Sequence, residues 1–208
     1  PRMGITLLQS DPQAYLSWVL IVAFSICVHE WAHAAMALRC GDDTAAEAGH
    51  LTLNPLVQMG PVSIVVLLVI GIAWGAVPVN PNQFREKHHN ALVAFAGPCS
   101  NLMISFILGF AYVLVATFGA GPVANFLLLG CLANGVLFFF NMLPVPMFDG
   151  WAILSLWIPT MQRVSVEQAQ TVGGIFLLLV FVSDLGTMVW RCGMAVGEFF
   201  VACGHLVF

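Results

Sequence analysis

Residues 27 to 40 read CVHEWAHAAMALRC, and within this otherwise apolar run stand His29, Glu30 and His33. Residues four apart share a face of an α-helix, so His29 and His33 can aim both imidazoles at one ion while Glu30 is turned aside but stays close. An HExxH of this kind suits zinc: two neutral imidazoles bind the metal, a third protein ligand completes the set, and water takes the open fourth position with its pKa lowered. The glutamate is then placed to act as general base toward that water. The competing reading is two core histidines and a buried glutamate satisfied by neighbours. Depth decides against it, because Glu30 lies about 18 Å along the helix from Trp18 and about 12 Å from Leu38 at about 1.5 Å per residue. An ionisable residue so deep in an apolar segment costs several kcal/mol unless it is paired or working.

The residues available as a third ligand are Asp149, Asp184, Glu198, His50, His88, His89 and His205. Asp149 stands out. It sits in NMLPVPMFDG, at the end of a long apolar helix where Pro144 and Pro146 break the regular backbone and Gly150 permits a tight turn. Irregular backbone inside a membrane is tolerated where it is buried in protein or lines a wet cavity, so a carboxylate on such a break can approach a metal from a second helix.

The elements that must position these groups belong to a membrane protein. Of 208 residues 60% are hydrophobic and 8% charged, far from a soluble composition. Ten acids and six bases are spread thinly, with no basic run or acidic tail, which excludes nucleic acid as a partner. The six cysteines (Cys27, Cys40, Cys99, Cys131, Cys192 and Cys203) form no CxxC pair and sit mostly in apolar stretches, as small hydrophobes. The opening PRMGITLLQSDPQAY lacks the features of a signal peptide, so the first apolar segment is expected to stay in place.

A bilayer core of about 30 Å takes around 20 helical residues. Four segments qualify: 15–38, 91–118, 122–142 and 171–190. A fifth, 61–77, is short and bracketed by Gly60, Pro61, Gly75 and Pro78, which suits a re-entrant or interfacial hairpin as well as a helix. GHLTL before it and VPVNP after it have the alternation of short strands. The tail 192–208 reads as an interfacial or partly inserted helix. The fold expected is an all-α polytopic membrane protein, with about four to five transmembrane helices plus a re-entrant or interfacial segment carrying short β-strands. It forms a single domain over 1–208, with a core at 14–158 and a C-terminal helical region at 165–208.

At this point the residues resemble the site-2 proteases, zinc metalloproteases that cut peptide bonds inside membranes. HExxH at 29–33 matches that family's first signature, and N-x-x-P-x-P-x-x-D-G from Asn141 to Gly150 its second. AGPCSN (96–101) looks like its small-residue motif, with Gly97 allowing close helix packing. LTLNPL (51–56) and PVNPNQFR (78–85) are similar to a compact prokaryotic branch without accessory domains. The chain departs from the pattern at His50, where arginine is expected, and at Trp151, where a small or basic residue is commoner. The resemblance implies one zinc per chain on His29, His33 and Asp149, with Glu30 as the base and Asn141 and Asn54 as substrate-positioning residues. It further implies a membrane-anchored protein substrate and a prokaryotic cell membrane as the location.

A single zinc requires His29, His33 and Asp149 to reach one depth, and this constrains the topology. If the first helix runs inward, the helix 91–118 must run outward for Asp149 to arrive on the same side. Residue 90 is then cytoplasmic, and 61–77 cannot cross. The arrangement puts Arg39, Arg85, Lys87 and Arg163 inside and Arg2 and Arg191 outside, as the positive-inside bias prefers. The active site then faces the cytoplasmic side, and GHLTL and VPVNP would hold an unwound substrate by edge pairing. His88, His89 and His205 read as solvated, and His50 as a gating or supporting group at most. The rival functions are a transporter or ion-binding membrane protein using the same buried polar groups, and a silent scaffold; the presence of both ligands and base speaks against the latter.

Overall fold

The computed structural model describes residues 5–119, 121–158 and 160–207. Arg2, expected on the outer side, lies outside the described residues. A short α1 (Ile5–Ser10) leads into the long α2 (Pro12–Cys40), which starts where Asp11 Oδ1 accepts from Ala14 N–H at 3.0 Å and Pro12 presets the first turn. It ends at Gly41, whose φ of 106° few other residues adopt. Two further single-turn helices, α3 (Thr44–Glu47) and α4 (Pro55–Gln58), precede α5 (Gly60–Ile70). After an extended return come α6 (His89–Ala116), α7 (Gly121–Asn141), α8 (Asp149–Leu154), α9 (Val166–Val182) and α10 (Leu185–Val207).

Helices α2, α6 and α7 are long and apolar enough to cross a membrane, and α9 with α10 would make a fourth crossing if the bent pair is one span. The side chains are arranged for lipid. Leu16, Leu20, Phe24, Trp31 and Leu38 form an exposed stripe on α2, whereas Ser25, His29, Glu30 and His33 on the same helix are buried. A bilayer rewards this inversion, because apolar groups face tails while polar groups find partners inside.

The hairpin after α4 returns to the end from which it left. Met59 and Leu67 share a buried cluster with Val22, Ile26 and Cys27, and further along α5 Leu68 O accepts from Tyr15 Oη at 3.1 Å. Beyond the helix Gly71 O accepts from Trp18 Nε1 at 2.8 Å. The chain then doubles back: Ser63 Oγ donates to Trp74 O and accepts from Trp74 N–H, at 2.6 and 2.9 Å. Asn80 N–H finally reaches Asp42 Oδ2, just past the C-terminus of α2, at 2.7 Å. Burial alone raises the Asp42 carboxyl, but hydrogen bonds from the Thr44 hydroxyl, Asn80 N–H and Thr44 N–H outweigh it and hold the group below the usual carboxylate range.

Two expectations need correction. The described residues include no strand. The Gln58 amide takes the carbonyls of His50 and Thr52 at 2.8 and 2.6 Å, groups a strand edge would have offered, and Pro78 and Pro81 lack an N–H. Ala76 N–H to Gln58 O, at 3.1 Å, joins the two arms without a ladder. Secondly, the span read at 171–190 is broken by an 89° turn between α9 and α10. Ser183 Oγ accepts from Leu185 N–H at 3.3 Å and so starts a new helix where hydropathy alone suggested continuity. The tail read as interfacial is α10, packed along α7 and α6. A Cβ on Gly135 would lie 2.7 Å from Gly193 O, and one on Gly109 would lie 3.1 Å from Phe200 Cβ. Small residues on both sides let the backbones approach.

Candidate active site

Two turns of α2 bring His29 and His33 onto the buried face, and the chain after α7 brings a carboxylate to them. NMLPVPMFDG leaves the helix at Asn141, and Met147 takes a φ of 83°, uncommon for a residue with a side chain. Gly150 then lies so close to the end of α7 that a Cβ would overlap Met142 O, so the turn closes only on glycine. The result is that Asp149 Oδ2 lies 3.3 Å from His29 Nε2, and Asp149 Oδ1 lies 3.4 Å from His33 Nε2. One ligand atom from each of the three residues falls within 4.8 Å of the others.

The donor set fits a cation. His33 Nδ1 donates to Val93 O at 2.8 Å, and a carbonyl can only accept, so in the neutral ring the lone pair is on Nε2. That lone pair faces His29 Nε2 at 2.9 Å as well as the carboxylate. His29 Nδ1 is itself engaged with Asn101 Oδ1 at 2.6 Å. Neutral imidazoles anchored this way through Nδ1 are the usual form of metal-bound histidine. Space is kept by Gly97 of α6, where a Cβ would overlap His33 Nε2 and crowd His29 Nε2. Pro98, one residue on, cannot supply the N–H that would close on the Ala94 carbonyl, which loosens α6 beside the site.

A cavity of about 310 Å³ opens over this cluster, lined by His29, Glu30, His33, Asn141 and Asp149 together with the Val77 and Val79 side of the returning arm. Glu30 points at that arm: a Cβ on Gly75 would overlap its side chain. Five of the six residues singled out from the sequence therefore share one cavity. Asn54 is not among its lining residues; its side chain caps α4 by accepting from Leu56 N–H at 3.0 Å. His50 lies against Gln58 Oε1 at 3.3 Å, and His88 pairs with Glu86 at 3.1 Å. What sequence reasoning missed is the support of the histidines, Asn101 and the Val93 carbonyl. Asn101 was open to the argument used for Glu30, a polar side chain deep in an apolar helix; a backbone carbonyl leaves no signal.

Known proteins similar to the chain carry matching chemistry in their names. It is 39% identical to "Putative zinc metalloprotease YwhC" of Bacillus subtilis over 184 residues, 84% of this chain and 83% of the relative. It is 32% identical over 189 residues to "Putative zinc metalloprotease Rip2" of Mycobacterium tuberculosis, covering 83% and 71%. A more distant relative is "Putative zinc metalloprotease MJ0611" of Methanocaldococcus jannaschii, 28% identical over 145 residues, covering 68% and 70%. No protein-family model and no solved structure matches the chain.

Proposed function

Because the chain belongs to the site-2 protease family of zinc metalloproteases, we propose that it is a zinc-dependent intramembrane endopeptidase hydrolysing peptide bonds in or near transmembrane segments of membrane-anchored proteins. The observation that carries this reading is the convergence of His29 Nε2, His33 Nε2 and the Asp149 carboxylate, whose ligand atoms lie within 4.8 Å of one another. These residues would hold one zinc, which when bound would supply a Lewis acid to acidify a water and polarise the scissile carbonyl.

The chain's own groups do the rest. Glu30 takes a proton from the attacking water and returns it to the leaving amide nitrogen as the C–N bond breaks. Asn141 has one amide hydrogen on Leu137 O at 3.0 Å, and its remaining polar capacity holds the substrate backbone. A helical substrate hides its carbonyls in i→i+4 bonds, so it unwinds before cleavage, and the wet cavity accommodates the released groups. The protein is a multi-pass membrane protein of a prokaryotic cell, with the site toward the cytoplasmic end of α2. Residues 42 and 80 meet at that end of α2, so the hairpin leaves and rejoins the helix at one end.

The test is zinc per chain in detergent-purified wild type, His33→Ala and Asp149→Ala, purified without metal-chelating tags. About one zinc in wild type that falls sharply in both variants is the expected result. A folded wild type that takes up no zinc when it is supplied would overturn the reading.

A further inference from the structure

Two carboxamides lie wholly inside the helical bundle, Asn101 on α6 and Asn134 on α7, each 0% exposed. Neither lines the cavity. Polar side chains in such surroundings are expensive unless every group is matched, and their bonds run in one direction. Gly130 O, a backbone carbonyl, accepts from Asn134 Nδ2 at 2.9 Å. That turns Asn134 Oδ1 toward α6, where it accepts from Asn101 Nδ2 at 3.0 Å. Asn101 Nδ2 also reaches Ser25 O at 3.5 Å, and its Oδ1 is left facing His29 Nδ1 at 2.6 Å.

A carboxamide oxygen only accepts, so His29 Nδ1 must donate. We propose that Asn134, acting through Asn101, is a positioning residue that fixes the proton of His29 on Nδ1 and keeps the Nε2 lone pair turned to the metal. The opposite sense requires both amides to flip. Asn134 Oδ1 would then face Gly130 O and Asn101 Oδ1 would face Ser25 O, acceptor against acceptor with both side chains sealed from water. His33 has its own backbone carbonyl for the same purpose, whereas His29 depends on a relay rooted two helices away. The inference rests on the metal reading above.

A role as interhelical glue alone predicts that removing the amide loosens the bundle and leaves metal affinity untouched. The relay predicts the reverse emphasis. Asn134→Leu removes the acceptor that holds Asn101, whereas Asn134→Asp in its protonated form keeps both a donor for Gly130 O and an acceptor for Asn101. Zinc affinity of the full chain in detergent, measured by competition with a chromophoric chelator, is expected to fall about 10–100-fold in Asn134→Leu and to stay within about threefold of wild type in Asn134→Asp. Wild-type affinity in Asn134→Leu would overturn the relay. Where Asn134→Leu does not fold, the ring ¹⁵N shifts of His29 in metal-free wild type decide: protonated Nδ1 upholds it, and protonated Nε2 overturns it. The spectrum needs no bound zinc, so it also separates failure of the relay from failure of the protease reading, which a wild type unable to take up zinc would signal.

Discussion

Gly97 of α6 faces His33 of α2 so closely that a Cβ there would overlap the imidazole Nε2. The helix–helix contact and the candidate metal site are therefore the same contact. Gly97→Ala favours the helix by intrinsic propensity yet intrudes on the ligand nitrogens. The expected outcome is a folded chain whose zinc affinity falls more than about tenfold, read by titration. Wild-type affinity would mean that α6 can move away from α2 without cost to the site.

Glu30 lines the cavity but is not one of the three converging ligands. Glu30→Gln should keep its zinc and lose cleavage of a reconstituted membrane-anchored substrate by about 10²–10⁴-fold, the usual worth of a general base. A variant that cleaves at the wild-type rate would remove Glu30 from the mechanism.

The α7–α10 seam has no room at Gly135, where a Cβ would meet Gly193 O at 2.7 Å and Gly197 N at 2.8 Å. Gly135→Ala should destabilise by about 1–3 kcal/mol, the range for overpacking. Gly174→Ala on α9 is the control, because a Cβ there meets nothing within 4 Å. Thermal melts in one detergent should separate the two, with the control neutral or more stable.

Asp42 closes the hairpin, and its folded-state pKa is depressed. The sign follows from linkage: the stabilisation is fully present above the unfolded value of about 3.9 and disappears as pH falls through the lower folded value. Hydrogen exchange at the Asn80 and Thr44 amides should stay protected through neutral pH and speed up below about pH 4, beyond the trend of other amides. In Asp42→Ala those amides should exchange faster already at pH 7.

Much of the site was legible because its carriers break an apolar background. HExxH declares its own spacing, and Asp149 follows two prolines that end a helix. The requirement for one shared depth argues against a crossing at 61–77, and in the fold the chain after this segment comes back to Asp42 through Asn80 N–H. The strands were misread because alternation reports exposure and not which group takes a carbonyl; Gln58, a side chain, took two of them. The break at Ser183–Asp184 was missed because hydropathy averages over a window, and two polar residues between apolar flanks vanish in the mean. The Gly193-xxx-Gly197 spacing that seats α10 is present in the sequence, inside a tail whose apolarity and polar Glu198 and His205 read as interfacial.

The anchors of the two histidines, Asn101 Oδ1 and Val93 O, both belong to α6 and neither bond involves an ion. Small zinc domains collapse around their metal and are unfolded without it. Here the expected order is the reverse, with the bundle closing first around a seat whose anchors need no ion. Chelation should therefore leave an intact apoprotein that recovers on readdition, with metal supply expected to set how many copies are active and not how many survive.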